Sequence, residues 1–199
     1  MLTAFQELIA RRRSVRRFKP QPVERATLAA LLEAARLAPS AANRQPLVFI
    51  AIDDPELVRG VFPTLKWAAY LGDEGSPLPG EEPTAYIVIA VRGDLNWPEA
   101  VRDMGAGAMT ILLGACASGL GACWLRSIDR PPLAQLIGLP AEYEIDSVIA
   151  LGTPAEAPVV EKMSGDEIKY WRDEAGLHHV PKRAFDQVCF LDKFGQVWR

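Results

Sequence analysis

Six cationic side chains lie within residues 11–19, which read RRRSVRRFK and include one hydroxyl, that of Ser14. The whole chain has a formal net charge of −3, so its cations are concentrated here rather than spread over a broad basic face. Arginine and lysine resist burial without a counter-charge, and a guanidinium group binds phosphate oxygens through paired hydrogen bonds. The cluster therefore predicts a site for a compact anion such as a phosphate group.

The segment Arg12-Arg13-Ser14-Val15-Arg16 allows two interpretations. If it is extended, the period of two along a strand puts Arg12, Ser14 and Arg16 on one face, where two guanidinium groups flank a hydroxyl. Such a face suits phosphate and carbonyl oxygens better than lysines would. The alternative is a solvated basic end of the first helix, and both interpretations stay open on these residues alone.

A polar loop lies between Pro39 and Pro46 and contains Ser40, Asn43 and Gln45. Hydroxyl and amide side chains offer donors and acceptors, which can match the alternating C=O and N–H groups of a flat heterocycle. The alternative is an ordinary turn that uses these side chains for its own backbone. Taken alone, the loop favours the turn.

Two later segments add to the pattern. Gly119 and Gly121 allow the chain to leave a helix and approach another group closely. The alternative, a helix C-cap followed by a buried strand, is compatible with such a role. Lys182 and Arg183 form a second basic group, far along the chain, that could contribute to the same site. The alternative is that they are plain surface charges.

Several common site motifs are absent from the sequence. The GxG of residues 105–107 lies inside a helical stretch without a third glycine at the required offset, and no GxxxxGK[ST] occurs. There is no GxSxG or HExxH motif either. Three cysteines without a CxxC pair and two histidines argue against a disulfide scaffold and a structural zinc site. A bound phosphate is therefore expected to be held by arginines, and the net charge argues against a nucleic-acid coat.

The elements that position these segments alternate between helix and strand. The patterns predict helices over residues 3–12, 24–37, 97–119 and 131–136 and one that begins at Asp54-Pro55. They predict strands over residues 47–52, 86–91, 123–125 and 146–151, with a hairpin over residues 168–180. We expect a mixed α and β chain of 199 residues in which helices outnumber strands, folded as one domain.

The uncharged stretch over residues 104–125 calls for a membrane check. It is dominated by small residues whose contribution to insertion is small, and glycines break it, so we interpret it as a buried helix. The first segment runs from apolar to basic, the wrong polarity for an export signal. We expect a cytoplasmic protein without a membrane or nucleic-acid partner.

The motifs RRSVRRF, PSAANRQP, GLGACW and HHVPKR occur in that order, with WAAYL at residues 67–71 between the second and third. In this combination, nearly the whole chain resembles the FMN-dependent nitroreductase family. The resemblance implies an α+β fold with a central, mostly antiparallel sheet flanked by helices. It also implies an intertwined homodimer with FMN in the interface. We expect residues 1–199 to form a single FMN-binding domain in which residues 184–199 are an arm that packs on the partner subunit.

The resemblance also assigns roles to individual residues. It implies that Arg12, Ser14 and the backbone of Arg13 contact the phosphate and ribityl chain, with Arg16 beside the pyrimidine edge of the flavin. The other subunit would supply Ser40, Ala41, Asn43 and Gln45. At the strand end, Leu125, Arg126 and Ser127 match the residues whose backbone N–H points at flavin N5. Lys182 and Arg183 would complete the grip on the phosphate, and no side chain is assigned as catalytic.

The implied activity is hydride transfer from NADH or NADPH through flavin N5 to an electron-poor acceptor such as a nitroaromatic or a quinone, by a ping-pong mechanism. An alternative within the family is another flavin reaction, namely dehalogenation, ene reduction or flavin fragmentation. A third hypothesis is a non-enzymatic module that binds flavin, or one that binds nucleic acid through the basic cluster. These functions are left open by the sequence.

Overall fold

The computed structural model describes residues 3–95, 97–98 and 100–198. Five α-helices lie in this part of the chain: α1 Thr3–Arg11, α2 Arg25–Arg36, α3 Pro55–Val61, α4 Ala100–Ala117 and α5 Arg130–Leu136. Eight strands accompany them: β1 Phe18–Lys19, β2 Leu47–Ile52, β3 Ala85–Arg92, β4 Gly121–Leu125, β5 Tyr143–Pro154, β6 Val159–Lys162, β7 Trp171–Arg172 and β8 His178–Lys182. The prediction that helices outnumber strands is wrong, because β1, β6 and β7 have only two to four residues, too few to show a period.

The central sheet is built around the 12-residue strand β5. On one edge β5 pairs with β3, and β3 pairs with β2. On its other edge β5 pairs first with β4, where Cys123 lies opposite Ala150, and then with β1, where Phe18 lies opposite Pro154. All four pairings are antiparallel. The predicted α+β class with a mostly antiparallel sheet is confirmed.

Helices cover both faces of this sheet, which explains why β3 is apolar along its length. Alternate side chains of a strand point to opposite faces. Ile87 and Ile89 pack with α2 and α4 on one face, whereas Tyr86 and Val88 pack toward α3 and α5 on the other. Strand β3 is therefore buried from Ala85 to Val91, as a strand between two helical layers must be.

Helix α4 is the predicted small-residue helix. It is long and apolar enough to cross a membrane by length and composition alone, and 44% of it is buried within the protein. A core helix passes the same test. One face packs closely on the sheet, since a Cβ added at Gly107 would lie 3.2 Å from the Phe49 ring. The other face leaves Val101 and Met109 exposed, so the helix is half-buried rather than fully buried.

The C-terminal region forms a second, three-stranded sheet in the order β6–β8–β7. The predicted hairpin is confirmed in β7 and β8, where Trp171 lies opposite His179, and Gly176 adopts a left-handed φ of 78° in the turn. Strand β6 joins β8 in parallel, a pairing that sequence patterns did not indicate. Because β6 follows β5 directly, its pairing with β8 brings the later residues of the chain next to the segment that leaves β5.

Large apolar side chains remain exposed on α1 and in the C-terminal tail. Phe5 on α1 is 53% exposed, and Phe194 in the tail is 95% exposed. Phe185 and Trp198 are also more than half exposed. An exposed apolar set of this size usually marks an interaction surface. The arm formed by residues 184–199 and the homodimer stay predictions of the sequence.

Candidate functional site

A cleft of about 580 Å³ opens beside the basic segment. We call it the arginine cleft; its walls are the end of α1, the end of α4 and the connection between β5 and β6. Its lining includes Arg11, Arg12, Arg13, Val15, Cys116, residues 119–122 and residues 156–160. The volume lies within the range of small-molecule and cofactor sites.

The three arginines at the end of α1 have different tasks. Arg13 donates to the carbonyls of Ile9 (3.0 Å) and Ala10 (2.6 Å), so its guanidinium caps α1. Burial, and then the neighbouring Arg12, lowers the pKa of Arg13. Arg11 donates to the carbonyl of Cys116 at 3.3 Å and ties α1 to α4. The buried Nε of Arg12 has no hydrogen-bond partner among the described residues, which leaves Arg12 as the cation available to an anion.

Glycine lets the basic segment run against the start of β4. The N–H of Val15 donates to the carbonyl of Ala122 at 2.9 Å, and Ser14 pairs with Ala122 in a parallel bridge. A Cβ at Gly121 would lie 2.7 Å from Val15, closer than real contacts allow. Gly119 ends α4 with a left-handed φ of 75°. The close approach predicted for the glycines is therefore made by Gly121 alone of the two, and it is an approach to the chain's own residues 14 and 15.

Arg16 lies on an aromatic face beside β4. Its guanidinium carbon is 5.1 Å from the centre of the Tyr170 ring, and Tyr170 stacks on His178 at 5.3 Å. Its backbone N–H donates to Glu156 at 2.6 Å, and Glu156 also forms a buried ion pair with Arg172 at 2.6 Å. Since Arg172 compensates Glu156, the charge of Arg16 is left for another partner, and its buried Nε has none among the described residues.

His178 is 1% exposed, and neither of its ring nitrogens has a hydrogen-bond partner within the described part of the chain. Burial first, and then the charges of Arg16 and Arg172, lower the pKa of His178 to about 4. At neutral pH this ring is uncharged. The cluster around Arg16 therefore keeps one strong positive charge, its own, next to β4.

The outer edge of β4 is available beyond Ala122. The carbonyl of Ala122 faces away from β5, because it accepts from Val15. The period of two puts the backbone groups of Trp124 on the same outer edge. The end of the strand is fixed by Ser127, whose carbonyl accepts from the N–H of Lys66 at 2.9 Å. Leu125 is buried, and Arg126 forms an ion pair with the buried Asp146 at 3.1 Å.

The loop between Pro39 and Pro46 is strained. Ala42, Asn43 and Gln45 have positive φ values of 51°, 52° and 49°, a conformation that non-glycine residues rarely adopt. Ser40 Oγ accepts from the N–H of Gln45 at 2.8 Å, so this hydroxyl serves the loop's own backbone, as the turn interpretation has it. Clusters of such residues are typical of ligand clamps and active sites.

This loop and the basic segment lie at opposite ends of α4. The N–H of Ala41 donates to Asp103 at 3.0 Å near the start of α4, whereas Arg11 contacts Cys116 near its end. The helix rises about 20 Å between these two positions. Within one chain the structure does not bring the two sets of candidate residues together.

Lys182 and Arg183 are exposed at the end of β8. Lys182 lies opposite Lys162 on β6, and its carbonyl accepts from the N–H of Met163 at 2.8 Å. Val160, which does line the cleft, pairs with Val180. The basic pair thus lies beyond the wall of the cleft and is not part of its lining.

Sequence reasoning missed Glu156, Tyr170, Arg172 and His178 as neighbours of Arg16. Glu156 is 140 residues from Arg16, Arg172 and His178 lie in the second sheet, and Tyr170 immediately precedes its strand β7. Spacing along the chain carries no signal for contacts at such separations. The two histidines are adjacent in sequence, and the structure places them on opposite faces of β8, where His178 stacks on Tyr170 and His179 stacks on Trp171.

The fold and the cleft define an α+β protein in which the buried Nε of Arg12 has no partner among the described residues. The chain belongs to the nitroreductase family, whose profile matches residues 9–153. An Archaeoglobus fulgidus protein with the provisional name NADH dehydrogenase/NAD(P)H nitroreductase is 31% identical to this chain over 157 residues. The match covers 75% of this chain and 85% of the relative.

Two further proteins illustrate the range of the family. The chain is 30% identical over 173 residues to 5,6-dimethylbenzimidazole synthase of Rhodospirillum rubrum, covering 73% of this chain and 79% of that one. It superposes on the FMN-dependent nitroreductase of Clostridium difficile with a TM-score of 0.64, at 26% identity and with 80% of this chain and 91% of that one covered. The family, the fold class and the assignment as an enzyme of the oxidoreductase type are confirmed.

Proposed function

We propose that the protein is an FMN-dependent oxidoreductase that uses NADH or NADPH to reduce an electron-poor small molecule, such as a nitroaromatic or a quinone, by a ping-pong mechanism. Bound FMN would supply the redox chemistry, by taking hydride at N5 and passing it to the acceptor. The observation that carries the proposal is the buried Nε of Arg12, which has no partner in the described part of the chain and lies in a cleft beside the Ser14–Ala122 bridge.

The phosphate end of FMN fits the basic segment. Arg12 offers a guanidinium whose Nε lacks an acceptor, and a phosphate oxygen would satisfy it through a charge-assisted hydrogen bond. Ser14 adds a hydroxyl, and Arg13 contributes backbone because its guanidinium is used at the end of α1. Lys182 and Arg183 lie outside the lining of the cleft, at the exposed end of β8, and would complete this grip only by extending their side chains to a phosphate at its mouth.

The isoalloxazine end fits the outer edge of β4. Strand residues rise by about 3.4 Å each, so the end of β4 lies about 10 Å from Ala122 along the strand. There the backbone of Leu125, Arg126 and Ser127 would face N5. Arg16 would lie beside the pyrimidine edge, where a fixed positive charge favours the electron-rich, reduced flavin.

A second copy of the chain would complete the site. Ser40, Ala41, Asn43 and Gln45 lie at the far end of α4 from the arginine cleft. If they contact the flavin, they are best supplied by the partner subunit of a homodimer. The exposed apolar side chains on α1 and in the tail support such an assembly.

The test is the affinity for FMN of an Arg12→Ala variant. Loss of a hydrogen bond to a charged group weakens binding by about 10- to 100-fold. The matched control is Arg36→Ala, which removes an exposed arginine paired with Glu33 on α2. Fluorescence titration of flavin-free protein measures both affinities. If the Arg12 variant and the Arg36 control bind FMN equally well, the proposed phosphate site is wrong.

A second candidate function is another reaction of bound flavin, supported by the relative named 5,6-dimethylbenzimidazole synthase. Two measurements on the purified protein separate the candidates. Consumption of NADPH or NADH on addition of a quinone supports the first. Flavin fragmentation under oxygen, seen as irreversible loss of flavin absorbance without turnover of a quinone, supports the second.

A further inference from the structure

A second cavity, of about 520 Å³, lies against α3 and shares no lining residue with the arginine cleft. We call it the proline cavity. Its lining comprises Pro20, Pro22, Asp53, Pro55, Val58, Arg59, Phe62, Gly80, Glu82, Pro83, Thr84 and Tyr86. The proposed flavin site uses none of these residues.

The walls of the proline cavity are apolar and stiff. Four prolines contribute, from the segment after β1, the start of α3 and the approach to β3. Proline has a fixed φ and a side chain without rotamer freedom to lose, so such a wall is largely pre-formed. Val58 and Phe62 add aliphatic and aromatic surface. A flat apolar ring would fit these walls.

Tyr86 provides a polar group that the protein itself does not use. Its side chain is fully buried, and its hydroxyl has no hydrogen-bond partner among the described residues. Burial first, and then the charge of Glu82, raise the pKa of this phenol, so it stays protonated and can donate. An unsatisfied buried hydroxyl destabilises the folded state, and a ligand with an acceptor would relieve this.

Glu82 supplies an acceptor near that hydroxyl. Its carboxylate accepts from the N–H of Gly80 at 2.7 Å, which fixes it at the cavity. The other acid in the lining, Asp53, is already paired with Arg25 at 2.5 Å. Arg59 is exposed at the rim. The lining therefore offers one unpartnered buried donor, the Tyr86 hydroxyl, and two acceptors, the half-buried carboxylate of Glu82 and the hydroxyl of Thr84, which itself donates to the carbonyl of Gln21.

We propose that the proline cavity binds a small, neutral aromatic carboxamide. The ring would pack between the prolines and Phe62, the amide carbonyl would accept from the Tyr86 hydroxyl, and the amide N–H would donate to Glu82. A planar amide carries one acceptor and at least one donor, which are the partners that the Tyr86 hydroxyl and the Glu82 carboxylate can take. An aromatic carboxylate lacks the donor and brings a negative charge toward Glu82, so it fits less well.

Benzamide is the probe, and the full-length, flavin-loaded protein is the sample. Nitrogen–proton correlation spectra follow the backbone amides of Val58, Gly80 and Thr84 during titration up to about 10 mM, which is weak-binding range. We expect saturable shifts at these amides. The assay needs no turnover and no arginine-cleft residue, so its failure is distinguishable from a failure of the proposed function.

The decisive variant is Tyr86→Phe, which removes only the hydroxyl and leaves the cavity's shape. We expect its affinity for benzamide to fall about tenfold, as for the loss of one hydrogen bond. Removal of an unpaired hydroxyl does not threaten folding. The matched control, Tyr143→Phe at the start of β5, changes a tyrosine outside the cavity and keeps the wild-type affinity.

Three results would overturn the proposal: no saturable shift at the cavity, equal affinities in wild type and Tyr86→Phe, or benzoate binding as tightly as benzamide. The first result would show that the cavity does not bind benzamide. The second would show that the Tyr86 hydroxyl does not contact the ligand, and the third that the amide N–H does not donate to Glu82. The proposal is supported if Tyr86→Phe binds benzamide more weakly than wild type does, and if wild type binds benzoate more weakly than benzamide.

Discussion

The carboxylate of Glu156 accepts a hydrogen bond from the backbone N–H of Arg16 at 2.6 Å, across 140 residues of sequence. The same carboxylate is paired with Arg172, and both of these side chains are more than nine-tenths buried. Glu156 thus fixes the backbone of the basic segment while its own charge is compensated by Arg172. The guanidinium of Arg16 keeps its charge for a ligand.

We expect Glu156→Gln to destabilise the protein. Glutamine can still accept from the Arg16 N–H, but Arg172 is left as a buried charge without a carboxylate, a change that typically costs about 3–5 kcal/mol. Urea unfolding of flavin-free protein measures the change in the free energy of unfolding. The control, Glu167→Gln, changes an exposed acid between β6 and β7 of the second sheet. Equal stability of the two variants would contradict the role given to Glu156.

We expect Arg16→Ala to weaken FMN retention and to lower the two-electron reduction potential of the flavin. The reason is that a fixed positive charge beside the pyrimidine edge stabilises the reduced, more negative flavin. Dye-equilibrated titration measures the potential, and ultrafiltration measures retention. Arg16→Lys, which keeps a charge without the planar fork, should retain part of the shift. If potential and FMN affinity are both unchanged in Arg16→Ala, the position assigned to Arg16 is wrong.

If the protein forms the proposed homodimer, removal of residues 184–199 should loosen it and expose apolar surface. This segment contains Phe185, Phe194 and Trp198, each more than half exposed in a single chain. If they pack on the partner subunit, their loss raises the dissociation constant by at least about tenfold, since each buried aromatic ring contributes on the order of 1.5–3 kcal/mol.

Sedimentation velocity over a dilution series measures the effect on the dimer. Adjacent point variants sharpen the test, because Phe194→Ser removes an apolar ring whereas Lys193→Ser removes a polar neighbour. Only the first should weaken the dimer. Truncated protein that sediments as wild type would contradict the arm.

The sequence predicted most elements of the fold to within a few residues, because their signals are local. Tyr86 to Val91 is continuously apolar and becomes the buried part of β3, and Asp54 caps α3 by accepting from the N–H groups of Glu56 and Leu57. Gly119 and Gly121 mark the end of α4 and the close approach to Val15. Each of these features depends on neighbours in sequence.

The surroundings of Arg16 could not be predicted, because they are assembled from distant parts of the chain. The parallel pairing of β6 with β8 brings Glu156, Tyr170 and His178 to the basic segment, and no periodicity encodes that pairing. The exposed face of α4 was missed for a similar reason: small residues predict burial without saying which chain covers them. Residue types thus predict an anion site, whereas tertiary pairing determines which residues surround Arg16.

The last prediction concerns the buried ring of His178, which should make the protein sensitive to acid. In the unfolded chain a histidine takes up a proton near pH 6.5, whereas burial and the nearby Arg16 and Arg172 lower the folded pKa to about 4. Between these values the unfolded state binds the extra proton, so the free energy of unfolding falls as pH falls, by up to about 1.4 kcal/mol per pH unit. Between pH 7 and pH 5 the loss is about 2 kcal/mol.

Urea unfolding at pH 7 and pH 5 tests this in wild type and in His178→Phe, whose ring can still stack on Tyr170 but cannot titrate. We expect the variant to lose about 2 kcal/mol less than wild type over this interval. His179 is the control of opposite sign, because burial lowers its pKa but the bonds to Asp173 and Glu161 together outweigh burial and raise it. Its contribution is present below pH 6.5 and is lost as pH rises through the raised value, so His179→Gln should lose more than wild type toward pH 5. Equal losses of stability in His178→Phe and wild type between pH 7 and pH 5 would contradict a neutral His178 in the folded protein. The ring of His178 would then carry a second positive charge beside that of Arg16.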